Sequence, residues 1–342
     1  MAILITGSAG HLGEALIRLL RASGDDPIGV DLKPSPFTTM VGSIVERAFV
    51  KRCMGGVDAV IHAATLHKPH ITTHEKQAFV DTNVTGTLNL LEEATTAGVR
   101  AFVFTSSTSV FGRALTPPGA PAAWITEDVV PVPKNIYGIT KLAAEQLCEL
   151  FHRTRGLSAI VLRTSRFFPD EDDHKATRDA YEDDNVKANE FLYRRADIED
   201  VVNAHLLALE KAPAIGFGRY IVSATTPFTS EDLQDLHTNA PAAVARRVPG
   251  YVDVYARRGW SMFPHVDRVY VNDRARAELG WSPCYDFARV TDLLRNGNDF
   301  RSALARAVGT KLYHEDMFPD GPYPVEETNR PQRLLRGACP RR

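Results

Sequence analysis

Short apolar runs alternate with amphipathic stretches through the first two thirds of the chain, and the alternation predicts its architecture. Ala2-Ile3-Leu4-Ile5-Thr6 is apolar almost throughout, the pattern of a strand covered on both faces. A helix through Glu14-Ala15-Leu16-Ile17-Arg18-Leu19-Leu20 follows it. Further strands are predicted at 27–30, 57–62, 101–105, 159–163 and 219–222. Helices are predicted at 72–97, around Tyr137 and over 200–211, and the last, with the segment 192–198 before it, returns the chain to the sheet. Strand and helix in turn call for a doubly wound, mostly parallel α/β sheet. No internal repeat interrupts the series.

Three glycines, Gly7, Gly10 and Gly13, stand between the first strand and the first helix. Glycines there permit a tight turn and let the backbone approach a pyrophosphate, whose charge sits at the positive end of the helix. The second strand ends on Asp31, eighteen residues after Gly13. A carboxylate at that place holds a ribose diol and repels a 2′-phosphate, so NAD is expected and not NADP. Farther on, Tyr137 and Lys141 are four apart and share a helix face. A unit charge at about 4 Å in a medium of effective dielectric near 20 is worth roughly 4 kcal/mol, enough to bring a phenol toward neutrality as a general base.

Five motifs in order then carry a resemblance: Thr6-Gly7-Ser8-Ala9-Gly10-His11-Leu12-Gly13, Val60-Ile61-His62-Ala63-Ala64, Asn83-Val84-Thr85-Gly86-Thr87, the stretch 106–112, and Tyr137-Gly138-Ile139-Thr140-Lys141. Leu279-Gly280-Trp281-Ser282-Pro283 adds a signature of the substrate part. The chain resembles the extended short-chain dehydrogenase/reductases of the NAD-dependent epimerase/dehydratase family, in particular their UDP-glucose 4-epimerase-like members, over residues 1 to about 290. The resemblance implies a Rossmann-type sheet at 1–167, rejoined by 192–225, and a smaller substrate-binding part from 168–191 and 226–310. It implies that Tyr137 is the acid/base, that Ser107 binds the reacting oxygen and that Lys141 holds the nicotinamide ribose. It further implies NAD contacts from Gly7, Ala9, Gly10, His11, Leu12, Gly13, Asp31, Ala63, Ala64 and Asn83. Pairing of the helices around 72–97 and 137–155 into a homodimer is implied as well, with Leu88, Leu91, Leu142 and Leu150 as its apolar surface.

Departures from the family pattern narrow the chemistry. Relatives that eliminate water carry an Asp-Glu pair after the serine, where this chain has Thr108-Ser109. A hydroxyl cannot shuttle protons as a carboxylate does at neutral pH, which leaves reversible oxidation of a secondary alcohol, as an epimerase or a dehydrogenase. A non-catalytic NAD-binding sensor is the alternative from another class. The substrate is expected to be a sugar or sugar-like polyol. A nucleotide-sugar arginine is missing where Phe263-Pro264-His265-Val266 replaces Arg-Pro-Gly-Asp, and Arg166, Arg257 and Arg258 are the substitutes considered. Arg166 stands where an Asn is frequent, and Ser43 where an adenine-binding Asp is common.

With 342 residues, 44% hydrophobic and 24% charged, the chain has the composition of a globular protein. A formal charge of −2 gives no case for nucleic acid or an anionic membrane, and no membrane span or signal peptide is expected. Cys53, Cys148, Cys284 and Cys339 lack metal or redox spacing, so a reducing cytoplasm is expected. His62, His67, His70 and His74 crowd one segment without a Cys or carboxylate to complete a metal set, and His67 or His70 is a candidate substrate contact. Asp170-Glu171-Asp172-Asp173 and Glu182-Asp183-Asp184 read as a solvated loop or lid, and 311–342 as an irregular tail.

Overall fold

The computed structural model describes residues 1–112, 119–311 and 318. Its strands are β1 (Ile3–Thr6), β2 (Ile28–Asp31), β3 (Met40–Val41), β4 (Ala59–His62), β5 (Ala101–Ser107), β6 (Ala123–Ile125), β7 (Ala159–Thr164), β8 (Phe217–Val222) and β9 (Arg268–Tyr270). Seven form one parallel sheet in the order β3-β2-β1-β4-β5-β7-β8, and β6 pairs with β9 in a separate two-stranded sheet. The chain leaves β1 toward β2 and β3, then returns to β4 on the other side. The crevice therefore opens at the carboxyl ends of β1 and β4.

Helices α1 (His11–Ala22), α2 (Arg47–Cys53), α3 (Lys76–Val80), α4 (Gly86–Thr96) and α5 (Ile136–Arg155) lie in the first half. Next come α6 (Lys175–Ala180), α7 (Asp183–Glu190), α8 (Ile198–Ile215), α9 (Leu233–Arg247), α10 (Tyr251–Arg258), α11 (Asp273–Leu279), α12 (Phe287–Arg295) and α13 (Ala303–Val308). Successive strand residues point to opposite faces, so Ile3 and Ile5 pack with α1 and α8 while Leu4 packs with α2, α4 and α5. Each such fully buried aliphatic side chain is worth about 1.5–3 kcal/mol. The segment expected as one helix over 72–97 is two helices joined by a π turn, Asp81–Thr85, whose extra residue redirects Asn83.

A further core joins Phe191, Leu236, Val254, Phe287 and Val290 from α9, α10, α12 and the turn after α7, and forms the smaller part of the molecule. Two segments expected there pack elsewhere. Helix α13 lies against α1 and α8. The Leu279-Gly280-Trp281 stretch also docks on α8: Trp281 is fully buried in the α1–α8 core, and its indole N–H donates to the Asp200 carbonyl at 2.9 Å. Asp200 in turn accepts the amides of Cys284 and Tyr285 at 2.8 and 2.9 Å. The signature thus bolts the second part of the chain to the sheet. Trp281→Ala is expected to lower the unfolding free energy by about 3–5 kcal/mol in equilibrium denaturation, from the cavity and the lost anchor.

Candidate active site

The glycine turn is shaped by contact. Gly7 has φ +75, and a Cβ added there would come within 2.8 Å of the Ala64 amide nitrogen. At Gly13 it would lie 2.1 Å from the Gly7 carbonyl oxygen. Only glycine lets α1 press onto the end of β1 this closely. Gly10, the N-cap residue, offers no side chain to the first amides of α1, which leaves them to an anion. At the end of β2, Asp31 accepts the amides of Ala9 at 3.0 Å and Lys33 at 2.9 Å. Gly7, Ala9, Gly10, His11, Leu12, Gly13, Asp31, Ala63 and Ala64 all line one cavity of about 810 Å³. These amides, carboxylate and close glycines fit a dinucleotide. Ser43 is on the same wall.

His62 faces away from this cavity. Its ring bridges Thr6 at 2.7 Å and Thr87 at 2.9 Å, fully buried, and burial holds its pKa well below the usual range. Asn83 likewise works behind the wall: its amide accepts the Leu66 N–H at 2.9 Å and donates to the Leu66 carbonyl at 2.8 Å and to Thr140 at 3.0 Å. It thereby ties the loop after β4 to α5.

Helix α5 begins with Asn135, whose side chain accepts the Gly138 amide at 3.0 Å. A Cβ on Gly138 would stand 3.0 Å from the Ser109 carbonyl, so glycine brings the helix start against the end of β5. There Tyr137 and Ser107 line the cavity together. Lys141 is only 2% exposed, with Nζ 4.1 Å from the Phe104 ring centroid. The expected lowering of the phenol by the ammonium is not what the structure gives. Burial pushes Tyr137 up to about 12, opposed by Ser107, and pulls Lys141 down to about 7, opposed by Glu145. Desolvation disfavours both charged forms and here exceeds their attraction.

At the other end of the cavity, the ring of His67 lies 6.4 Å from that of Tyr137 and 6.1 Å from Phe168. Burial, then His70, keeps it neutral. Thr108 and Ser109 line the same end, and the Ser109 amide donates to Ser107 Oγ at 3.1 Å. Arg166 is a wall residue and not a surface arginine. Its guanidinium stacks 4.8 Å over Phe168, donates to the carbonyls of Asp170 and Glu171 at 2.8 and 2.6 Å, and pairs with Asp173 at 3.3 Å.

The acidic run is corrected in the same way. Asp170, Asp172 and Asp173 are buried, with Asp173 paired to Lys68 and Asp172 to Arg194 at 2.6 Å. Only partners distant in sequence make such burial tolerable. Asp170 lies 3.5 Å from His11, and its burial raises its pKa to about 6. His11 in turn accepts the Lys311 amide at 3.1 Å, while the Lys311 ammonium reaches Glu14 at 2.5 Å.

Arg258 does not reach the cavity; it stacks 5.2 Å over Trp260 and donates to the Leu294 carbonyl at 3.0 Å. Arg257 is exposed on the same helix. Cations the sequence reading missed, Lys134, Arg194, Arg268 and Lys311, line the cavity instead. Arg268 is placed there by the β6–β9 pairing and donates to the Gly112 carbonyl at 2.9 Å. Among the described residues, no group of three or more His, Cys, Asp or Glu is placed to hold a metal.

A dinucleotide cradle that opens onto a half-buried serine and a buried tyrosine and lysine defines an extended short-chain dehydrogenase/reductase. The model of the NAD dependent epimerase/dehydratase family matches residues 3–222, and the chain belongs to that family, as an NAD-dependent enzyme. It is 26% identical over 334 residues to the UDP-glucose 4-epimerase of Rhizobium meliloti, covering 88% of this chain and 98% of that one. Against the UDP-glucose 4-epimerase of Erwinia amylovora it is 31% identical over 164 residues, 43% of this chain, and spans only 47% of that relative's length. A solved short-chain dehydrogenase/reductase superfamily protein from Agrobacterium tumefaciens with bound NAD superimposes with TM-score 0.61 at 25% identity, over 87% of this chain and 98% of that one.

Asp31 is expected to make NAD bind much better than NADP. Asp31→Ala should narrow the gap, mainly by weakening NAD, when both are titrated calorimetrically. Equal affinities of the unaltered protein for the two cofactors would contradict this assignment.

Proposed function

We propose that the protein is an NAD-dependent epimerase or dehydrogenase acting on a secondary hydroxyl of a sugar or nucleotide sugar. The observation that carries this reading is that Ser107, Tyr137 and, one helical turn behind it, Lys141 line the same cavity as the glycine turn and Asp31. Tyr137 takes the hydroxyl proton of the substrate as the alcohol becomes a carbonyl, and returns it in the reverse step. Ser107 holds the reacting oxygen. Lys141 binds the nicotinamide ribose and, when charged, favours the phenolate. NAD supplies the hydride acceptor. An NAD-binding sensor would have no use for the phenol and its ammonium, which favours the enzyme.

Elimination is disfavoured by the site. Thr108 and Ser109 bear no carboxylate, and Asp173, which also lines the cavity, is held by Lys68 and Arg166. A standard UDP-hexose held through the usual arginine is disfavoured too. Phe263 packs edge-on against Tyr181 and Tyr193, with ring centroids at 5.1 and 6.3 Å, and its own side chain offers no cation to a diphosphate. The loss of a charge-assisted contact there is worth roughly 1.5–3 kcal/mol. A non-nucleotide polyol or uronate is the second reading that this favours.

A homodimer through α4 and α5 is part of the proposal, although Leu91 is buried in its own core and contributes nothing to such a face. Ile139, 51% exposed, and Leu150, 40% exposed, remain on α5 for it. The free thiols of Cys53, Cys148 and Cys284 fit a reducing cytoplasm. Among the described residues no helix is long and apolar enough to cross a membrane.

Tyr137→Phe should leave NAD binding nearly intact and cut turnover by about 10²–10⁴-fold, the range of a lost general acid/base. Activity within a few fold of the unaltered protein would defeat the assignment. Sugars, uronates and UDP-sugars are the substrates to screen: NADH appearing in solution marks a dehydrogenase, and an epimer by NMR with no net NADH marks an epimerase. Light scattering at micromolar concentration should give twice the chain mass, and Ile139→Glu combined with Leu150→Glu should give a monomer.

A further inference from the structure

Glu145 follows Lys141 by one turn of α5, as Lys141 follows Tyr137. It is completely buried. Its carboxylate accepts the Ser106 hydroxyl at 2.5 Å and, from Arg163, Nε at 3.1 and 3.2 Å and Nη2 at 2.8 Å. Ser106 is the neighbour of Ser107 on β5, and Arg163 is on β7, which pairs with that end of β5. One carboxylate therefore ties the helix of Tyr137 to the strand of Ser107.

We propose that Glu145 is a positioning residue of the site: it keeps Lys141 charged in a buried setting and fixes the Ser107 strand against the helix that carries Tyr137. The proposal rests on the assignment of Tyr137 and Lys141 given above.

The charge inventory around Lys141 supports it. On α5 itself stand Glu145, Cys148 and Glu149; from β7 comes Arg163, and from β8 comes Arg219, whose Nε is 3.6 Å from Glu145 and whose Nη2 meets Glu149 at 2.5 Å. His62 on β4 and His67 in the loop after it also face the ammonium, and burial keeps both neutral. Burial likewise holds the Cys148 thiol protonated. Lys141, Arg163 and Arg219 thus surround Glu145, with Glu127 beside Arg163 and Glu149 on Arg219. Take away Glu145 and the carboxylates that remain, Glu127 and Glu149, lie by the arginines and leave Lys141 without one. Arginine does not give up its proton in a protein, so Lys141 is the member that would discharge. Its pKa near 7 leaves little margin, with Glu145 the largest influence holding it up.

The test reads NAD binding as well as turnover. Affinity for NAD, titrated calorimetrically across pH, should fall in the unaltered protein as Lys141 loses its proton. In Glu145→Gln the midpoint should move to lower pH by about one unit or more, with a roughly tenfold loss of kcat/KM above neutrality. Ser106→Ala removes a tie and keeps the charge, so its midpoint should stay. A flat profile in the unaltered protein, an unmoved midpoint in Glu145→Gln, or an equal shift in Ser106→Ala overturns the proposal. Where Glu145→Gln fails to fold, Arg219→Met removes a cation from the same group and should raise the midpoint; one that stays or falls is equally decisive against it. Because binding is measured without substrate, a protein with the expected shifts and no sugar turnover would refute the proposed function and leave this inference standing.

Discussion

Helix α5 buries a phenol, an ammonium and a carboxylate in a row where a packing helix would ordinarily place hydrocarbon. Such burial is costly unless every member finds a partner. Much of the surrounding design serves this need: Arg163 is held for Glu145, Phe104 lies under Lys141, and Gly138 is small so that the start of α5 can press against Ser109. The parallel sheet supplies the rest, because β5 and β7 end side by side at the place where these polar groups must converge. The geometry of the site and the stability of the fold are here properties of the same few contacts.

The cofactor end shows the complementary solution. Few side chains are needed there, because backbone amides, tight glycines and the end of a helix make the surface. Asn83 and His62, both in segments that draw the eye in the sequence, are struts that hold this surface from behind. A side chain one layer removed from a ligand can thus be as constrained as one that touches it.

What was legible in the sequence was local. Apolar runs such as Ile3–Thr6 and Ala159–Thr164 marked strands because burial on both faces leaves no other composition, and the glycine turn announced itself by spacing. What was not legible depended on partners far along the chain. Asp172 is a surface residue by composition and becomes a buried one only because Arg194 arrives twenty-two residues later. Arg268 enters the cavity through a pairing of three-residue strands, too short to give a period. The π turn at Asp81–Thr85 has no pattern of its own, and the direction of the Tyr137 and Lys141 shifts follows from burial depth, which no spacing encodes. The expected tail beyond Lys311, with Cys339, lies outside the described residues.

His11 joins the first turn of α1 to Lys311, three hundred residues away, and stands 3.5 Å from the buried Asp170 carboxylate. A chain emerging from the ribosome makes β1 and the glycine turn long before Lys311, yet the cavity lacks this part of its lining until Lys311 has folded back against His11. The site is therefore completed by a segment translated some three hundred residues after its most recognisable one, and cannot close before that later segment has folded back.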